Sequence, residues 1–216
     1  MAKKQSKVTQ AQYWEQACQE LSDDPVMATL ISNFVEDRLQ SDGEPFSTLF
    51  YSIIGQQISV KAAEAIRNRV INVIGEVTPE AILAASVDDL RQAGLSARKV
   101  EYLTDLARHF EQGTVDPSHW HTLDNDTLIA ELTDIRGIGR WTAEMVLMFC
   151  LLRPDIFPAD DLGVQRAILM HYPEILDIHP KPTPKVFRQF AEQWAPWRTV
   201  ASWYLWRNLD ATPVNY

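Results

Sequence analysis

The sequence predicts an all-α protein, and three observations carry that prediction. Apolar residues recur at three-to-four spacing over long stretches, capping residues stand at the head of those stretches, and the strict alternation of a strand is nearly absent. Taken in order, Thr9 with Gln12 forms a capping box before the first periodic stretch, and Asp24 followed by Pro25 gives an N-cap with proline at the first helical position. Two helices therefore open the chain. Ser59 caps a stretch whose Val60, Ala63, Ile66, Val70 and Ile74 share a face, and Gly75 ends it. Thr78-Pro79, Ser86 with Asp89, and Ser96 each start a further helix, with Gly94 and Gly113 as stops. Pro154, Pro158 and Pro173 break the later chain. Thr183-Pro184 then starts a helix carrying Val186, Phe187, Phe190 and Trp194, and Trp197 to Trp206 reads as the last. The first eight residues are polar and read as a mobile start.

With 216 residues, 46% hydrophobic and 23% charged, the chain has a soluble globular composition and the length to bury a core. No Gly/Ser-rich or Pro-rich linker divides residues 9–216, so a single domain is expected. The pattern allows a central helical lobe from about residue 45 to about residue 155 and a second lobe from both chain ends, with a cleft between them. No apolar run is long enough to cross a bilayer, and Lys3, Lys4 and Lys7 are not followed by the apolar stretch of a signal sequence. An intracellular, cytoplasmic protein with no membrane partner is expected. Cys18 and Cys150 stand far apart without a Cys-x-x-Cys spacing, which suits a reducing compartment and excludes an iron–sulfur or zinc-finger ligand set. The formal net charge of −9 argues against a broad basic surface of the kind that wraps nucleic acid.

The most informative local signal is Leu132-Thr-Asp-Ile135-Arg136-Gly137-Ile138-Gly139-Arg140-Trp141-Thr142-Ala143, set between two periodic stretches. Two glycines two apart allow a tight positive-φ turn and leave nothing to block the approach of another molecule. Backbone N–H groups at the start of the next helix, with the partial positive charge of a helix N-terminus, suit a phosphate, and Arg136 and Arg140 add local positive charge. Such a nest answers the net-charge objection. An ordinary glycine-terminated helix would carry the same two glycines, so the flanking pattern decides.

That run resembles the hairpin of the helix-hairpin-helix DNA repair glycosylases, written Leu-Pro-Gly-Val/Ile-Gly-x-x-Thr-Ala, with Arg136 where proline is common. Phe157-Pro158-Ala-Asp160-Asp161-Leu162-Gly163-Val resembles the segment bearing that family's essential aspartate, which aligns with Asp161. Gly55-Gln56-Gln57-Ile58-Ser59, Gly94-Leu95-Ser96 with Lys99, and Trp197-Arg198 through Trp203-Tyr204-Leu205-Trp206-Arg207 resemble the alkylation-repair branch, the DNA-3-methyladenine glycosylase II group. The likeness runs in the family's order from Phe46 to Arg207. It implies the helix-hairpin-helix glycosylase fold of two helical lobes with a cleft, and double-stranded DNA containing alkylated bases as the partner of a monomeric enzyme, at the nucleoid in a bacterium.

The branch is chosen by chemistry. Bifunctional relatives use a lysine just before the hairpin Thr-Ala to form a Schiff base, and Trp141 holds that place here, so strand cleavage is not expected. The endonuclease III and adenine-mismatch branches usually bear a four-cysteine cluster that two cysteines cannot supply. The resemblance thus implies a monofunctional glycosylase that hydrolyses the N-glycosidic bond of 3-methyladenine and 7-methylguanine in base excision repair and leaves an abasic site. Asp161 is the implied catalytic residue, either stabilising charge on the deoxyribose or activating water. Asp160 is read as the helix cap and Asp161 as the catalytic member of the pair. The flipped nucleotide leaves a gap that Gln57 fills as the wedge. Trp141 and Trp206 match pocket positions of the family, which implies stacking on the base, where a cationic lesion over an indole gains about 0.5–2 kcal/mol. Gln56 lines the cleft, and Met145 and Leu162 stand where some relatives place tyrosines. The resemblance also implies that Gly137, Ile138, Gly139, Arg140 and Thr142 contact DNA with Gln57.

No cofactor is expected, although the resemblance allows a monovalent cation on the hairpin carbonyls. His119-Trp120-His121 lacks accompanying ligands at metal-site spacing and reads as a surface pair. Two other readings stand beside the enzyme: a non-catalytic helix-hairpin-helix module that binds damaged DNA, and a helical protein-interaction domain using its acidic face.

Overall fold

The computed structural model describes residues 9–41 and 43–209, so the reading of residues 1–8 as a mobile start lies outside the described residues. In chain order the elements are β1 (Thr9–Gln10), α1 (Trp14–Leu21), α2 (Pro25–Asn33), β2 (Gln40–Ser41), α3 (Pro45–Gly55), α4 (Val60–Ile74), α5 (Pro79–Ala84), α6 (Val87–Gln92) and α7 (Ala97–Glu111). A 3₁₀ turn (Pro117–Thr122) precedes α8 (Asn125–Thr133) and α9 (Arg140–Met145), which runs on into a π-helical turn (Val146–Cys150). Then follow α10 (Leu162–His171), α11 (Ile175–Ile178), α12 (Pro184–Phe190) with a 3₁₀ extension (Ala191–Trp194), and α13 (Arg198–Leu209). Among the described residues the only sheet is the antiparallel pair of β1 and β2. None of the described helices is long and apolar enough to cross a membrane.

The elements fall into two compact units, Glu44–Val146 on one hand and the described residues up to Gly43 with residues 147–209 on the other. In the first, α3 is central: Phe46–Phe50 and Ser52–Ile54 are buried, and α4, α7 and α9 pack around it. A helix enclosed on all sides has to be apolar all round or satisfy its polar groups internally. Ser47 and Thr48 accordingly donate to the Glu44 carbonyl, and Ser52 donates to that of Thr48. In the second unit α13 plays the same part. Thr199 through Trp206 are buried without interruption, against α10, α2 and α1.

Most helix starts lie where their caps predict. Asp24 accepts from the Val26 and Met27 N–H groups, Ser59 from Ala62, Thr78 from Ala81 and Ser96 from Lys99. Ser86 accepts from the Asp89 N–H and donates back to the Asp89 carboxylate at 2.7 Å. Thr9 is the exception. Its backbone pairs with Ser41 in the small sheet, and α1 begins only at Trp14 with no side-chain cap, because the extended pairing removes Thr9 from any helix entry.

Candidate functional site

Asp161 owes its place to α13. The segment before it has no regular structure and hangs from the first turn of that helix: Arg198 makes a two-pronged pair with Asp155 at 2.6 and 2.8 Å. Thr199 Oγ1 accepts from the Ile156 N–H and donates to the Arg153 carbonyl, while its N–H donates to the Pro154 carbonyl. The chain then turns, with the Asp161 N–H donating to the Pro158 carbonyl at 2.9 Å, and α10 begins. Asp161 Oδ1 accepts from the Val164 N–H at 2.8 Å and from Trp206 Nε1 at 2.8 Å. Two donors on one oxygen fix the direction of the carboxylate. A Cβ on Gly163 would lie 3.0 Å from that oxygen and 3.2 Å from the Trp206 indole, so the missing side chain lets the two close.

One sequence expectation, the helix cap, changes in this unit. The helix cap assigned to Asp160 belongs to Asp161, because the turn from Pro158 uses Asp160 as a linking residue and leaves it exposed. Trp206, read as a stacking surface, is 7% exposed, lies against Phe149 with ring centres 5.8 Å apart, and spends its N–H on Asp161. The contact it makes is this hydrogen bond to the carboxylate. Leu162, read as a pocket wall, is 78% exposed as the first residue of α10.

The hairpin forms in the other unit. α8 ends at Thr133, the Ile138 N–H donates to the Ile135 carbonyl, and α9 starts after Gly139. Gly137 has φ +88, and a Cβ there would meet the Tyr102 ring at 2.3 Å, so glycine is required both by conformation and by space. Gly139 differs: its φ is −94, and a Cβ would meet open space. No side chain caps α9, and the first N–H groups of a helix have no acceptor within it. These donors suit a phosphate approaching Gly139.

Here too the sequence reading needs correction. Arg136 pairs with Glu101 at 2.8 Å and Arg140 with Glu144 at 2.9 Å, so the local positive charge expected of them is already matched by carboxylates. The side chains of Ile138 and Thr142 are buried, which leaves only their backbone groups for contact with DNA. Met145 is fully buried in α9 and offers no surface to a ligand. Gln56, read as lining the cleft, uses its amide to donate to the Gly137 carbonyl at 3.0 Å and to Thr142 Oγ1 at 2.9 Å. Trp141 is half-buried on α9, and Gln57 is exposed in the turn between α3 and α4 with φ +60.

Sequence reading left Lys99 without a role and passed over Tyr102. Lys99 Nζ donates to the carbonyls of Ile54 at 2.6 Å and Gln56 at 3.0 Å, and burial holds its pKa below the usual lysine value. These partners lie 45 and 43 residues away in sequence, where local patterning gives no signal. His119 and His121 flank Trp120, whose ring is fully buried and whose N–H donates to Glu131. His119 also meets Glu131, at 3.2 Å.

The family model for HhH-GPD superfamily base excision DNA repair proteins matches residues 50–196. DNA-3-methyladenine glycosylase 1 of Schizosaccharomyces pombe is 36% identical over 187 residues, 84% of this chain and 79% of that protein. A solved structure of the 3-methyladenine DNA glycosylase of that yeast in complex with abasic DNA has a TM-score of 0.77, covering 89% of this chain and 95% of the other. The crystal structure of a DNA-3-methyladenine glycosidase from Bacillus halodurans is 35% identical with a TM-score of 0.70, covering 93% and 91%. This chain therefore belongs to the HhH-GPD superfamily of base excision DNA repair proteins and, within it, to the DNA-3-methyladenine glycosylases.

Proposed function

We propose that this protein is a monofunctional DNA glycosylase that hydrolyses the N-glycosidic bond of alkylated purines, 3-methyladenine and 7-methylguanine, in double-stranded DNA. The observation that carries the reading is the Asp161 carboxylate, fixed by its own helix and by the Trp206 N–H at the position of the family's essential aspartate.

The chemistry follows from charge. As the bond between C1′ and the base nitrogen lengthens, its electron pair leaves with the base and the sugar becomes electron-poor. A carboxylate already oriented stabilises that charge without the reorganisation bulk water would require. Water then forms the new C1′–O bond and loses a proton, giving an abasic sugar and the free base. A purine alkylated at N3 or N7 is cationic while attached and departs neutral, so no dedicated acid is needed to help it leave. Trp141 has no amine at the place where lyases keep lysine, so the strand stays intact. Reaching the base requires flipping it from the stack, with Gln57 filling the gap and Trp141 contributing an indole face.

Backbone N–H groups at Gly139 hold a phosphate of the duplex. The resemblance allows a monovalent cation on the hairpin carbonyls, where it would add positive charge beside the phosphate. The protein acts in the compartment that holds the DNA. The direct test is incubation with a duplex containing 7-methylguanine. Free 7-methylguanine and an alkali-labile but uncut strand are expected. Lesion-specific binding without release would mark a damage-binding module instead, and a cut strand would mark a lyase.

A further inference from the structure

We infer that Lys99 and Gln56 are positioning residues that join the turn carrying Gln57 to the phosphate-binding hairpin as one rigid piece. This rests on the proposed function, which gives the turn and the hairpin their roles.

α3 stops at Gly55, and the chain leaves it through Gln56 in an extended conformation and Gln57 in a left-handed one. A side chain other than glycine rarely holds such a backbone unless its neighbours fix it. Two fixings are present. Lys99, in the first turn of α7, places its ammonium on the Ile54 and Gln56 carbonyls, groups that a helix C-terminus leaves without internal donors and with partial negative charge. The Gln56 amide then donates to both sides of the hairpin, to Gly137 before α9 and to Thr142 within it. Burial lowering the Lys99 pKa fits an ammonium enclosed by backbone rather than displayed to phosphate.

The consequence is mechanical. A wedge drives a base from the stack only if the phosphates of the same duplex are held firmly relative to it, since unstacking is opposed by the DNA. With Lys99 and Gln56 in place, displacement of Gln57 has to displace the hairpin as well. Lys99 therefore acts on base flipping and not on affinity for undamaged duplex, although it is a cation near a DNA-binding loop.

The test is Lys99→Met in the full chain, with Gln56→Leu as a second variant that breaks the other end of the same link. Flipping is read by the fluorescence of 2-aminopurine beside a 7-methylguanine, release by single-turnover kinetics, and affinity on undamaged duplex at fixed salt. Losing a charge-assisted bond predicts that flipping and release fall about 10-fold while undamaged-duplex affinity changes less than about 3-fold. In a Gln57→Ala background, Lys99→Met should cause no further loss of release, because the residue it positions is gone. Equal loss of affinity for undamaged duplex would make Lys99 a phosphate contact and overturn the inference. Additive losses with Gln57→Ala would overturn it too. If Lys99→Met does not fold, Gln56→Leu decides by the same readouts. Failure of the parent reading looks different, because wild-type protein would then release no base.

Discussion

Two helix N-termini in this molecule are built in opposite ways. α9 begins at Gly139, which has no side chain to offer and open space where one would be. α10 begins at Asp161, whose carboxylate turns back onto the Val164 N–H. Both ends present the same backbone donors and the same partial positive charge. One leaves them for an anion arriving from outside, and the other supplies its own anion and holds it with a second donor, Trp206. One helix N-terminus is thus left open and the other closed by its own carboxylate, and the residue at the cap decides which.

Gly137 offers the strongest way to break that contrast. Gly137→Ala would force an alanine into φ +88 and into the Tyr102 ring, so about 3 kcal/mol of stability should be lost and the open end of α9 with it, read by thermal or urea unfolding. Trp206→Phe keeps the packing on Phe149 but deletes the donor to Asp161. A hydrogen bond to a charged group being worth roughly 1.5–3 kcal/mol, single-turnover base release should slow about 10- to 100-fold with duplex affinity unchanged. Gly139→Ala is the gentler counterpart of Gly137→Ala. Its backbone conformation suits alanine and the space is open, so stability should change by less than about 1 kcal/mol. Duplex affinity should nevertheless fall, by about 10-fold in a filter-binding titration, because the new methyl group meets the incoming phosphate.

The smallest effect concerns pH. The folded-state pKa of Lys99 lies below its unfolded value, so in the interval between them the unfolded chain binds more protons. Stability should therefore rise with pH across that interval, relative to Lys99→Met, which lacks the group. Urea titrations of both proteins at a series of alkaline pH values would measure that slope.

How much of this was legible beforehand follows from how local each feature is. Caps at Asp24, Ser59, Thr78, Ser86 and Ser96 depend on groups two or three residues away, and each helix begins where the sequence indicates. Thr9 misleads because its fate is set by Ser41, a partner no local pattern reveals. The Asp160-Asp161 pair is legible as the head of α10, but which of the two caps the helix is not, since that depends on how the chain turns from Pro158. The hairpin glycines were legible as a pair. Their division of labour, one fitted to Tyr102 and one left open, required coordinates. Arg136 and Arg140 are legible as local cations, but their carboxylate partners are not, since Glu101 stands on a distant helix and Glu144 one turn further along α9. The Lys99 and Gln56 bonds span 43 to 86 residues and lay beyond any reading of spacing.

We propose that Asp161 does two separable things, closing the end of α10 and stabilising charge on the sugar. Asparagine caps helices as well as aspartate does but carries no charge. Single-turnover release of 7-methylguanine by Asp161→Asn, measured beside its melting temperature, is therefore the most direct test. Release slowed by about 100-fold or more, with the melting temperature essentially unchanged, is the predicted result. Release at the wild-type rate would contradict a charge-stabilising role for Asp161.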